Sequence, residues 1–239
     1  MIATPREIWV YLAASPLLHL TMTLAAYLAG DWLFRKSGQK AILNPVLIAI
    51  VILVSILLAT GTSYATYFEG AQFVHFLLGP ATVSLALPLF DNLARLKRAA
   101  VPAIAALIAG SATAAGSAVG IAALLGVGPS ELASLAPKSA TAPVAIGIAE
   151  RVGGAPTLTA VLVILTGIVG AVAATPLLNA MGIRDWRARG LAVGIASHGI
   201  GTARAFQVNT TAGAFAGLGM ALNAVATAFV APLILDLFR

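Results

Sequence analysis

Residues 135–143 read LAPKSATAP: a lysine framed by two prolines and small hydroxyl residues, within a chain otherwise built of apolar runs. An ordinary hydrophobic helix would carry Leu or Val at the position of Lys138, so the solvent around this stretch decides the fold. The chain is 60% hydrophobic and 9% charged, with a mean hydropathy of +0.98. Soluble domains carry about 25% charged residues, so this chain cannot coat a globule with ionic groups. A bilayer is the solvent that fits.

Outward from Lys138, stretches of about 20 mostly apolar residues, the length of a membrane span, occupy 8–34, 42–60, 72–94, 99–126, 156–182 and 212–238. Two more, 131–151 and 190–209, are apolar but broken by Pro, Gly and ionisable groups. No alternating pattern runs for the ~10 residues of a barrel strand. The expected fold is all-α and polytopic, about six full spans plus two broken or re-entrant helices. It forms a single membrane domain over 1–239: an N-terminal span and basic loop (1–41), scaffold spans (42–130), and two broken-helix units (131–182 and 183–239). Arg6 and the AAS at 13–15 mimic a signal peptide, but Pro16 follows at once and the apolar run continues to Phe34. That exceeds an h-region of ~7–15 residues, so the segment is expected to stay as a membrane helix.

Charge sets the topology. Basic residues cluster at Arg35, Lys36 and Lys40, at Arg95, Lys97 and Arg98, and at Arg184, Arg187 and Arg189, while 61–70 and 127–130 have none. Keeping all three clusters in the cytoplasm requires 131–151 to enter and leave on the outer side. It also places Trp9, Trp32 and Trp186 near span ends. TAP at 141–143 and TAR at 202–204 suggest a repeat, a broken segment followed by a full span. If 190–209 enters from the inside, the two units are inverted, a common transporter plan. LGPATVSLALP at 78–88 is a weaker third copy. The net charge of +6 lies in topology-setting clusters rather than a nucleic-acid-binding stripe.

A charge at the bilayer centre costs about 2.5–3.5 kcal/mol on insertion scales, so Lys138 needs water, a counter-ion or a ligand. Thr141 can cap a helix starting at Ala142, and Pro143 suits its first turn. With Ser139, the helix start and Lys138 compose a carboxylate site. The competing reading has Lys138 snorkelling to a headgroup, with Pro137 and Pro143 shaping a turn. Ser197, His198, Thr202 and Arg204 form a second group. Thr202 can open a half-helix, Arg204 offers a planar fork for a carboxylate, and His198 can carry a coupling proton. Their structural alternatives are an interhelical hydrogen bond for His198 and, for Arg204, a salt bridge to Glu150 or a snorkelling end. Glu150 is a lesser coupling candidate. Asn44 reads as a helix cap, Tyr64 and Tyr67 as interface anchors, and the small residues at Ala112, Gly116, Gly120, Gly213 and Gly217 as packing positions. Cysteine is absent, no H-E-x-x-H or G-x-S-x-G occurs, and GIGTAR lacks the strand and third glycine of a dinucleotide loop. No catalysis, metal or cofactor is expected, and the coupling ion, H+ or Na+, is open.

LNPVLIAI, TGTSYATYFEG, LAPKSATAP and LNAMGIRDWRARGLAVGIASHGIGTARA, together with AGAF, resemble the LrgB/CidB family of bacterial membrane proteins, from about Asn44 to the C-terminus. The resemblance implies a multi-pass protein of the bacterial cytoplasmic membrane, a homo-oligomer, with a separately encoded small holin-like companion of the LrgA/CidA type. It implies one of two activities. One is antiholin-like regulation of murein hydrolase export and autolysis. The other is carriage of small monocarboxylates, pyruvate, glycolate or glycerate, as in the related plastid translocator. Matching positions are Pro137, Lys138, Ser139, Thr141 and Pro143, then Ser197, His198, Gly201, Thr202 and Arg204. Ala142 and Ile195 stand where threonines are frequent, and Ala65 where a polar residue is, which bears on substrate identity.

Overall fold

The computed structural model describes residues 16–76 and 100–238, with Phe90 and Lys97 between them. Trp9, most of the expected span 72–94, the third copy at 78–88, and Arg95 and Arg98 lie outside those residues. The chain divides into two compact units, Met1–Ser84 and Leu85–Arg239. Every element among the described residues is helical.

In the first unit, α1 (Pro16–Lys36) packs with α2 (Pro45–Thr60) and α3 (Tyr64–Phe76). Asn44 caps α2, its side-chain oxygen accepting from the N–H groups of Val46 and Leu47 at 2.9 and 3.3 Å. Ala26, Ala49 and Leu53 form the seam between α1 and α2. The expected connection 61–70 is helical from Tyr64 onward. Gly61, at φ 66°, stops α2, and Ser63 Oγ accepts from Thr66 N–H at 3.1 Å to start α3. Tyr64 is 68% exposed, as an anchor would be. Tyr67 instead turns inward, its hydroxyl 2.8 Å from Thr23 Oγ1 and its ring edge-on to buried His19.

The second unit contains α4 (Ala100–Leu124), α5 (Pro129–Leu135), α6 (Ala142–Val152), α7 (Pro156–Ala180), α8 (Trp186–Val208) and α9 (Thr210–Asp236). Among the described residues, α1, α4, α7 and α9 are long and apolar enough to cross a membrane; α2 is shorter. Helix α9 serves as a ruler, from a base at Thr210 to a crown at Asp236. α4 runs beside it in the same direction: Ala103 and Leu107 cluster with Leu218, and Val119 and Ala122 with Ala231 and Leu235.

Helix α8 is broken. His198 has φ 40° and ψ −134°, a backbone state that costs a non-glycine residue about 1–3 kcal/mol. The leg 186–197 ascends with α9, Gly190 lying against Ala212 and Gly194 against Ala216. The leg 199–208 descends: Ala205 packs beside Val193, and Phe206 returns to Gly213. α8 is therefore a hairpin that enters from the base and turns at His198. Asp185 caps its first leg, accepting from Arg187 N–H at 2.8 Å. The Arg187 side chain, hydrogen-bonded to the same carboxylate, holds Asp185 well below the usual carboxylate range, at about 2.

Helices α5 and α6 make the other hairpin, from the crown. Leu132 and Ile148 cluster with Leu235 there, and Ala155 N–H donates to Ser134 Oγ at 2.7 Å. The turn 136–141 reaches the middle of α9. α7 links the two hairpins, from the crown down to the base, where Leu178 meets Ala212.

Candidate functional site

The two hairpin tips meet at Asn223, midway along α9. Its carboxamide nitrogen donates to the carbonyl of Ser139, in the first tip, and to that of Ile195, in the second, each at 3.1 Å. Flipping the amide would set its oxygen against two acceptors, so the assignment is secure. Asn223 is 1% exposed, and among the described residues its Oδ1 has no hydrogen-bond partner. An orphaned buried acceptor is uncommon in native structures. Sequence reasoning missed this residue. The available signal was a lone Asn in the apolar run ALNAVATAFV, where a buried carboxamide demands partners.

Lys138 sits half-buried at the first tip, and among the described residues no carboxylate pairs with it. Ser139 is buried beside it, with Oγ unpartnered among the described residues. Pro137 is fully buried and shapes the turn. Thr141 is the N-cap of α6 by position, as its spacing predicts, with Pro143 in the first turn. Its hydroxyl, however, makes no cap bond, so the first N–H groups of α6 face the tip without that cover.

At the second tip, His198 is buried within electrostatic reach of Lys138. Its Nε2–H donates to Val163 O at 2.9 Å, which leaves Nδ1 as the acceptor of a neutral ring. The tip lies on a flat strip of α7: a Cβ at Gly167 would strike the imidazole, and one at Gly170 would strike Ser197. Thr202 was expected to open the half-helix, but the half-helix starts at Gly199, directly after the break. The Thr202 hydroxyl instead donates to His198 O at 2.7 Å and holds the turn.

Pro137, Lys138, Ser139, Thr141, Ser197, His198 and Thr202 are thus gathered around the two tips. Arg204 and Glu150 are not. Arg204 lies two turns from the break toward the base, in a pocket with Trp186 and Arg189. Glu150 is exposed near the crown end of α6. In each case the hairpin carries the residue away from the midpoint.

What the tips offer chemically is an ammonium, an imidazole, an orphaned amide oxygen, a free hydroxyl and the N-terminal ends of two half-helices. Charge of one sign prevails: no carboxylate joins the group among the described residues. Backbone unwound at this depth of an apolar bundle is tolerated where it is packed in protein or lines a polar cavity.

Comparison with known proteins places the chain in a family. The model of the LrgB-like family matches residues 23–237. The uncharacterized protein YwbG of Bacillus subtilis is 34% identical over 217 residues, covering 91% of this chain and 96% of its own. The holin-like protein CidB of Staphylococcus epidermidis is 31% identical over 221 residues, 92% of this chain and 96% of its own. CidB of Staphylococcus aureus is 31% identical over 222 residues, 93% and 96% respectively. No solved structure matches. The chain is a multi-pass membrane protein and belongs to the LrgB-like family.

Proposed function

We propose that the protein is a membrane carrier for small monocarboxylates, of the pyruvate, glycolate or glycerate class. The observation that carries this reading is the convergence of Lys138 and two half-helix N-termini on the midpoint of α9. Helix starts present free N–H groups and partial positive charge, and an ammonium with no carboxylate partner among the described residues is costly at that depth without an anion. The substrate carboxylate binds Lys138 and the uncapped N–H groups of α6, with Ser139, Thr141 and Ser197 hydroxyls around it. His198 accepts a coupling proton at Nδ1, although Na+ coupling fits the reading as well. Hairpins entering from base and crown, each followed by a span, make an inverted pair. Transporters built in this way move one unit against another around a fixed site.

The second reading is an antiholin-like regulator of murein hydrolase export and autolysis, favoured by the name holin-like that the CidB relatives carry. In either case a small LrgA/CidA-type membrane protein is the proposed companion, within a homo-oligomer of the bacterial cytoplasmic membrane. Uptake of labelled pyruvate and glycolate into proteoliposomes separates the readings. The carrier requires uptake by the wild-type protein and at least a tenfold loss in Lys138→Ala, with the variant still inserted and folded. Equal uptake by both proteins overturns the binding role, and no uptake by the wild type favours the regulator.

A further inference from the structure

Asn223 Oδ1 has company at its height along α9. Ser139 Oγ in the first tip and Ser111 Oγ of α4 are also buried, and among the described residues none of the three oxygens has a hydrogen-bond partner. Ser139 is placed by its own carbonyl, which accepts from Asn223 at 3.1 Å. Ser111 is placed by the packing of α4 on α9. Ala103, Leu107, Ser111, Ala115 and Val119 form the buried stripe of α4, and positions four apart share a helix face. Leu107 clusters with Leu218 and Ile195, and Val119 with Ala231. Counted from that shared level at 1.5 Å per residue, Ser111 and Asn223 rise by about 6 and about 7.5 Å. Ile195 lies between them: its carbonyl accepts from the Asn223 carboxamide, and a Cβ on Gly110, next to Ser111, would come within 3.1 Å of its side chain.

What these oxygens lack defines the ligand. The Asn223 carboxamide is oriented by its two donated bonds, so it turns an acceptor toward the remaining space. Hydroxyl oxygens accept as well. The first leg of α8 ends at the His198 break, and the last carbonyls of a helix carry partial negative charge with no partner inside it. Ile195 belongs to that last turn. No acidic or imidazole cluster suited to a metal occurs among the described residues, which removes the carboxylates that divalent cations favour. Neutral oxygens suit a monovalent ion, and broken-helix transporters hold one at half-helix C-terminal ends and unwound carbonyls. We infer that Asn223 Oδ1, Ser139 Oγ and Ser111 Oγ, with carbonyl oxygen from the end of the first leg, hold a sodium ion. Lys138 neighbours Ser139 in the chain, and its like charge opposes the cation. A carboxylate on Lys138 relieves that opposition, so anion and cation strengthen each other's binding by the same factor. This coupling rests on the carrier reading; the cation site itself does not.

Thermal unfolding of the full-length protein in detergent tests the site, with sodium, potassium and choline chlorides compared at matched ionic strength and no carboxylate present. A ligand of the folded state raises the midpoint by mass action. The wild type should gain several degrees in sodium over both other salts, and Lys138→Ala at least as much. Ser111→Ala and Ser139→Ala each remove one oxygen that makes no hydrogen bond among the described residues, so both variants should fold, and each should lose at least half of the sodium rise. A wild type with no rise, an equal rise in potassium, or a rise less than halved in either serine variant overturns the inference and leaves water as the filling of the cluster. A second arm adds glycolate, which should enlarge the sodium rise in the wild type and not in Lys138→Ala. No enlargement in the wild type, or the same enlargement in both, overturns the coupling alone. The first arm contains no substrate, so the carrier reading and the cation site can fail separately.

Discussion

The two hairpins face the same helix in different ways. The second is pressed onto α9 backbone to backbone: Gly190 and Gly194 lie against the main chain of Ala212 and Ala216, and Gly219 of α9 against the Leu191 carbonyl, which a Cβ would approach to 2.7 Å. The first touches α9 through side chains at the crown, Leu132 and Ile148 against Leu235, and its backbone stands off. A cleft of about 260 Å³ opens between α6 and α9, lined by Val144, Gly147, Arg151, Ala228 and Pro232 among others, and a Cβ on Gly147 would meet nothing within 4 Å. Close-packed interfaces resist sliding because small shifts forfeit many contacts. The contrast assigns the second hairpin to a rigid frame with α9 and leaves the first as the element with room to move. Asn223 joins the two where they touch.

The largest effect is expected at the tight interface. In Gly194→Val the new side chain must occupy the space of the Ala216 carbonyl, and backbone cannot yield as a flexible side chain can. The cost should exceed the ~3 kcal/mol upper end of usual overpacking, and size-exclusion chromatography of the solubilised variant should find little monodisperse protein. A well-behaved variant with wild-type thermal stability would break the rigid-frame assignment. Asn223→Ala comes next. It strands two buried carbonyls, at about 1–3 kcal/mol for each group left unsatisfied, so a loss of about 2–6 kcal/mol should appear as a lowered thermal midpoint. A loss near zero would mean that the tips are held together by packing alone.

These differences mark what the sequence could disclose. Breaks at 131–151 and 190–209 were legible because Pro, Gly and ionisable residues interrupt apolar runs, and a buried break needs local partners that leave such traces. The capping role of Asn44 and the N-cap position of Thr141, whose hydroxyl makes no cap bond, were readable for the same local reason. Ser63 was missed as the start of α3 because 61–70 was read as a connection between spans. Packing between elements was harder. Gly213 and Gly217 were read as packing residues and do face the second leg of α8, at Phe206 and Thr202. Yet the closest approaches to main chain fall at Gly190 and Gly194, whose spacing is the same and whose partners are set only by the hairpin turn. Arg204 was grouped with His198 by proximity in sequence. Six residues of helix descend about 9 Å, enough to move it to another pocket. Asn223 and Ser139 are 84 residues apart, and no local pattern announces such a pair.

Gly147→Ala is the smallest effect and the sharpest probe of the looser hairpin. Gly147 lies inside α6, where alanine is favoured over glycine by about 0.5–1 kcal/mol because it loses less backbone entropy on folding. The new methyl group enters open space, so no steric cost offsets that gain. The variant should unfold at the wild-type temperature or slightly above it, and carboxylate uptake should stay within twofold, since one methyl group does not fill the cleft. Gly147→Leu extends the test: it should retain stability while slowing uptake, because a larger side chain obstructs any approach of α6 toward Ala228 and Pro232. If Gly147→Ala instead destabilises as severely as Gly194→Val, α6 must be packed as tightly as α8, and the distinction between a fixed and a movable hairpin falls.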